Sequence, residues 1–191
     1  MTNGLLIKVC GITRASDAEA CERLGVDFCG FVFHPASPRN MTATDAARIR
    51  TNGMRRVGVF TTHDTDEILR TMDVAQLDYA QLHAEQSEAC AEAIGAERVI
   101  RVCFALPQSL CCAAYLLFDK PFDWRTLQGC FVRQPYFVAG GLNAQNIREA
   151  LSCASPVGVD LNSGVESAPG QKDALRIHEV LQIIAHERTL T

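Results

Sequence analysis

The chain has 191 residues, 48% of them apolar and 21% charged, with a formal net charge of −4. That length supports one sizeable core, and the balance excludes a disordered or fibrous chain. With no Lys/Arg-rich run there is no electrostatic ground to expect nucleic acid or an anionic membrane as a partner, so any anion site must be local.

The nine cysteines are odd in number and irregularly spaced, and no Cys-x-x-Cys pair or Cys/His cluster with zinc spacing occurs. No metal site is expected. Cys21, Cys90, Cys111, Cys112, Cys130 and Cys153 read as small core hydrophobes, and reduced thiols point to the cytoplasm. The start, MTNGLLIKVCG, lacks a charged n-region and a cleavage site, and no window approaches the roughly 18 apolar residues of a membrane span. Neither export nor insertion is expected. Composition leaves monomer and homodimer open.

In chain order, eight short apolar runs read as strands: LLIKVCG (5–11), DFCGFVF (27–33), RRVGVF (55–60), LDYAQLH (77–83), RVIRVCF (98–104), YLLFD (115–119), YFVAGG (136–141) and PVGVD (156–160). Their near-continuous apolarity suits strands covered on both faces. The first intervening segment, TRASDAEACERLG, offers Ser16 or Thr13 as a helix cap and Gly25 as a stop. TATDAARIR and DTDEILRTM place acids early and Arg late, and QSEACAEAIG ends at Gly95. After strand five, ALPQSLCCAA, and after strand six, KPFDWRTLQG, leave room for one or two helical turns at most. LNAQNIREALSC and GQKDALRIHEVLQIIAHE complete the last two units, the latter apolar at 175, 177, 180, 181 and 184.

Eight strand–helix repeats fit either an open doubly wound sheet or a closed (β/α)8 barrel. At about 24 residues per unit the chain sits just below the usual barrel range, and no Gly-x-Gly-x-x-Gly follows any strand. The expectation is one compact α/β domain over 1–191, a (β/α)8 barrel with shortened fifth and sixth units.

A barrel places its active site at the C-terminal strand ends, and here those ends are polar. They carry Cys10, His34 to Arg39, His83, Asp119, the pair Gly140 and Gly141, and the stretch from Asp160 through Asn162 and Ser163 to Gly164. Loops after strands seven and eight often bind phosphate through backbone N–H groups. AGGLN and LNSGVES supply two such turns. Period-two geometry puts Lys8 beneath Cys10, an arrangement that favours a thiolate; as residue types, a core thiol and a base stay equally open. Asp119 closes an apolar run and, partly desolvated, could hold and donate a proton.

Several motifs in order also resemble phosphoribosylanthranilate isomerases of tryptophan biosynthesis: KVCGITR (8–14), GFVFHPASPR (30–39), QLH (81–83), GGLN and GVDLNSGVE. That resemblance implies an Amadori rearrangement of N-(5-phosphoribosyl)anthranilate without metal or organic cofactor. On these positions Asp119 would protonate the furanose oxygen and Cys10 would take the C2 proton. Arg39 would bind the anthranilate carboxylate through two parallel hydrogen bonds, Gln81, His83 and Asp160 would orient the substrate, and Gly140, Gly141, Asn162, Ser163 and Gly164 would hold its phosphate. The chain departs from the family's pattern where FDKPFDW lacks the usual Gly-rich segment, so that Asp123 stands as an alternative acid. Ala84 replaces a glycine, and Asn162 replaces a serine. Two other functions stay open: a related phosphoribosyl aminoaldose isomerase, and a catalytically degraded barrel that binds a phosphorylated metabolite.

Overall fold

A computed structural model describes residues 4–83 and 88–187, so Ala84 lies outside the described residues. In chain order the elements are β1 (Leu6–Val9), α1 (Ala15–Arg23), β2 (Phe28–Val32), α2 (Ala43–Arg48), β3 (Arg55–Phe60), α3 (Thr65–Val74), β4 (Tyr79–Leu82) and α4 (Glu88–Ile94). They continue with β5 (Val99–Cys103), β6 (Tyr115–Phe118), β7 (Tyr136–Val138), α5 (Ile147–Cys153), β8 (Gly158–Leu161), β9 (Glu166–Ala168), β10 (Gln171–Lys172) and α6 (Ala174–Glu187). Strands β1 to β8 pair in sequence order, every pair parallel, and β8 returns to β1 to close the barrel. All eight strands fall within or beside the runs read from sequence.

Alternation along each strand sorts the side chains into two cores. Phe28, Val57, Tyr79, Ile100, Val102, Leu117, Phe137 and Ala139 form the cluster inside the barrel. Phe28, Tyr79, Tyr115 and Phe137 meet mostly edge to face, with ring centroids 5.3 to 6.3 Å apart, and plug its lower end. The intervening residues, such as Ile7, Phe31, Leu82, Phe118 and Leu161, face outward and pack with Ile68, Met72, Ile147, Ile177 and Leu181 of the helices. Leu175, expected on the buried stripe of the last helix, is instead 80% exposed, because α6 turns its apolar face inward only from Ile177.

Helix termini follow the sequence in part. Thr42 and Asp64 cap α2 and α3 by accepting from the N–H groups of Asp45 and Glu67. Neither Ser16 nor Thr13 caps α1: Arg14 holds that position without a side-chain cap, and the Thr13 hydroxyl donates to the Gly170 carbonyl. No helix forms between β5 and β6, and Trp124–Leu127 between β6 and β7 is a single 3-10 turn. The outer wall there carries a hollow of about 480 Å³ between residues 106–110 and 130–134. The last segment, read from the sequence as helical from Gly170, instead begins with β10, which pairs antiparallel with β9 in a separate two-stranded sheet.

Two buried cations lock neighbouring elements. Arg56, behind β3, donates to the carbonyls of Ala46, Ile49 and Ala75 at 2.6 to 3.1 Å, which satisfies the C-terminal ends of α2 and α3 at once. Lys8 of β1 and Asp160 of β8 are paired in register, and their side chains meet at 2.7 Å inside the barrel. Removing Arg56 strands the carbonyls of Ile49 and Ala75 and leaves that of Ala46 only its bond from the Ile49 N–H, so Arg56→Met is expected to cost about 3 kcal/mol in chemical denaturation. A loss below about 1 kcal/mol would show that these carbonyls find other partners.

Candidate active site

The parity that fills the lower barrel with rings sends polar side chains to its upper rim. Cys10, His34, Thr61, Gln81, His83, Asp119, Asp160, Asn162 and Ser163 line one cavity of about 430 Å³, together with Val32, Val59, Ala139, Gly140 and Gly141. Seven strand ends contribute to it. Gly30, beside Cys10 on β2, leaves space for the thiol: a Cβ there would lie 2.8 Å from the Cys10 sulfur.

Beneath that wall the Lys8–Asp160 pair sets the charge. Burial works against the Lys8 ammonium, but Asp160 and Cys10 outweigh it and hold the lysine charged. For Cys10 burial is the largest influence and pushes the thiol up, while Lys8 and Lys172 pull it down without cancelling the push. The pull of Lys8 towards a thiolate is thus outweighed by burial, and its ammonium is already paired with Asp160. Burial pushes His83 down against the opposing charge of Asp119, which favours a neutral imidazole. His34 Nδ1 lies 2.9 Å from the Thr61 hydroxyl.

Asp119 and Asp123 have different surroundings. Asp119 faces the cavity and accepts from the Lys120 backbone N–H at 2.8 Å. Asp123 caps the Trp124–Leu127 turn by accepting from Arg125 N–H, and it borders a separate surface depression. Trp124 donates from Nε1 to the Ala139 carbonyl at 2.8 Å and so anchors the turn after β7.

That turn and the one after β8 touch. Gly140 and Gly141 adopt φ of +104° and +73°, a conformation that disfavours other residues. A Cβ on Gly164 would fall 2.1 Å from the Leu142 carbonyl oxygen, so only glycine allows the two backbones to meet. Asn143 and Asn146 donate to the Gly141 carbonyl at 3.3 and 3.1 Å and turn it away. Among the described residues the N–H groups of Gly140, Gly141, Ser163 and Gly164 have no protein acceptor. Unpaired donors of this kind suit an anion.

Arg39 stands at the rim, outside the cavity wall. Its Nε and Nη2 donate to the two Glu166 oxygens at 2.9 and 2.6 Å, so the edge suited to two parallel hydrogen bonds is taken by a protein carboxylate. Lys172 Nζ bridges Glu166 Oε1 and Asn162 Oδ1 at 2.7 and 2.8 Å. Glu166 and Lys172 were missed in the sequence. Their partners are brought together by the hairpin, and only the Glu that closes GVDLNSGVE hinted at them.

Polar groups gathered at the C-terminal mouth of a closed parallel barrel define an enzyme of the (β/α)8 class. Residues 7–183 match the family model for N-(5'phosphoribosyl)anthranilate (PRA) isomerase, and the chain belongs to that family. It is an isomerase of tryptophan biosynthesis. The N-(5'-phosphoribosyl)anthranilate isomerase of Desulfovibrio desulfuricans is 43% identical, over 96% of this chain and 97% of its own length. Its Maridesulfovibrio salexigens counterpart is also 43% identical, over 88% and 93% of the two chains. Among solved structures, TrpF from Jonesia denitrificans superposes with a TM-score of 0.86 at 30% identity, covering 97% of this chain and 98% of that one. A phosphoribosyl anthranilate isomerase in complex with reduced 1-(o-carboxyphenylamino)-1-deoxyribulose 5-phosphate gives 0.81 at 32% identity, over 96% and 99%.

The Glu166 cluster has a pH signature. Burial alone would raise this carboxyl group, but hydrogen bonds from Arg39 and Lys172 hold it down at about 2. A depressed carboxylate contributes its stability above the unfolded value near 4.5 and loses it as pH falls towards 2. Glu166→Gln is therefore expected to cost on the order of 3 kcal/mol at pH 7, with the gap to wild type in urea midpoints narrowing from pH 5 to pH 2.5. A gap that stays constant over that interval would remove the carboxylate from the account.

Proposed function

We propose that this chain converts N-(5-phosphoribosyl)anthranilate to 1-(2-carboxyphenylamino)-1-deoxyribulose 5-phosphate with Asp119 as general acid and Cys10 as general base. The observation that carries the reading is that two buried acceptors, Gln81 Oε1 and Asp160 Oδ1, have no hydrogen-bond partner among the described residues, and that their side chains belong to residues lining the same cavity as Cys10 and Asp119. An orphaned buried acceptor is costly, and a ligand with several hydroxyl groups satisfies it. An open-chain pentose phosphate supplies hydroxyls for these two oxygens, and its phosphate meets the unpaired N–H groups of the two glycine-bearing turns.

The chemistry follows from one proton. Moving it from the Cys10 sulfur to an Asp119 oxygen turns a thiol and a carboxylate into a thiolate and a carboxylic acid, with no change in net charge. Asp119 then protonates the furanose ring oxygen as the nitrogen lone pair opens the ring to a Schiff base. Cys10 removes the C2 proton to give the enolamine, which tautomerises to the ketose. Lys8 and Lys172 favour the transient thiolate, while neutral His83 adds no competing charge. Arg39 offers its remaining N–H groups to the anthranilate carboxylate, with Glu166 fixing the guanidinium plane. Nine free cysteines suit a reducing cytoplasmic setting.

The test is conversion of freshly prepared substrate, followed by loss of anthranilate-type fluorescence. Cys10→Ala and Asp119→Asn are each expected to lower kcat by about 10²- to 10⁴-fold, with Asp123→Asn close to wild type. Full activity in the first two variants, or a loss confined to Asp123→Asn, would overturn the assignment.

A further inference from the structure

The loop after β6 is short, and its first residue beyond Asp119 is a lysine. Lys120 lies across the turn after β7. A Cβ on Gly140 would stand 2.9 Å from Lys120 Cγ and 3.5 Å from Cε, and one on Gly141 would stand 3.5 Å from Nζ. The Lys120 side chain therefore runs alongside the turn whose N–H groups lack acceptors.

Its electrostatic situation differs from that of the other two lysines. Lys8 is matched by Asp160, and Lys172 by Glu166 and Asn162, all within 2.8 Å. Lys120 is exposed, and among the described residues no carboxylate forms an ion pair with it. Its neighbour Asp119 accepts from the Lys120 backbone, not from the ammonium. A free charge on a flexible four-carbon stem can swing a few ångströms around the glycine turn, and dianionic phosphate is a good partner for such a point charge.

We propose that Lys120 is a phosphate-binding residue, whose ammonium closes the cradle of Gly140, Gly141, Ser163 and Gly164 from the β6 side. The proposal rests on those turns holding the sugar phosphate. One cation on the short loop after β6 would add its charge to the main-chain N–H groups of the two turns.

Steady-state kinetics with inorganic phosphate as inhibitor tests it. Lys120→Gln is expected to raise KM about tenfold and to weaken competitive inhibition by phosphate by a similar factor, with the loss falling on KM rather than kcat. Lys120→Arg restores both, and the wild-type KM rises more steeply with ionic strength than that of Lys120→Gln. Competitive inhibition of wild type that persists undiminished in Lys120→Gln, at unchanged KM, would overturn the role of Lys120 alone. Absence of competition in wild type would overturn the phosphate cradle itself, and this proposal with it.

Discussion

The ion pair between Lys8 and Asp160 is the constraint on which the barrel mouth depends. It lies where the first and last strands of the barrel meet, at paired positions of β1 and β8, with Lys8 fully buried. Burying two charges is expensive, and a pair of this kind contributes little net stability over apolar residues; breaking it by removing one partner costs several kcal/mol. Its effect is on register. A slip of one residue between β1 and β8 would turn one partner outward and leave the other uncompensated in the barrel, so the pair specifies how the ring closes. Register in turn decides which side chains stand above: Cys10 two residues beyond Lys8, and Asn162 two beyond Asp160.

The same pair governs reactivity. An ammonium beneath a thiol would ordinarily stabilise the thiolate, but here its charge is shared with a carboxylate, and burial dominates. In the proposed mechanism the proton therefore starts on sulfur, and the base arises by its transfer within the cavity. Around this centre the β8, β1 and β2 side is held by a charged network: Arg14 binds Asp17, Asp17 accepts from the Lys172 backbone, and Lys172 reaches Glu166 and so Arg39. The β5 and β6 side is thinner, with no helix between those strands. The side held by the charged network carries Cys10, and the sparse side carries Asp119 and Lys120.

Much of this was legible in the sequence because strands covered on both faces leave an unbroken apolar signature, and because polar residues closing such runs stand out against it. Hence Cys10, Gln81, His83, Asp119, Gly140, Gly141, Asp160, Asn162 and Ser163 were foreseen, and they do line one cavity. What was illegible was pairing across long stretches of chain. Arg39 and Glu166 are separated by 127 positions, and nothing local in either announces the other. The hairpin of Glu166–Ala168 and Gln171–Lys172 was hidden because the run before the last helix is short and polar, so a helix start was the simpler reading. The α1 cap failed for a related reason: Thr13 is drawn to a carbonyl 157 positions away.

The central claim, that a matched ammonium leaves Cys10 protonated at rest, is tested most directly by the pH dependence of Cys10 alkylation. The rate is followed on the Cys10 peptide by mass spectrometry, with Cys10→Ala identifying the signal among the other cysteines. The account predicts a rate that climbs through the alkaline range, with a midpoint above the ordinary thiol value of about 8.5. A midpoint at or below neutrality would mean a resident thiolate and would contradict it.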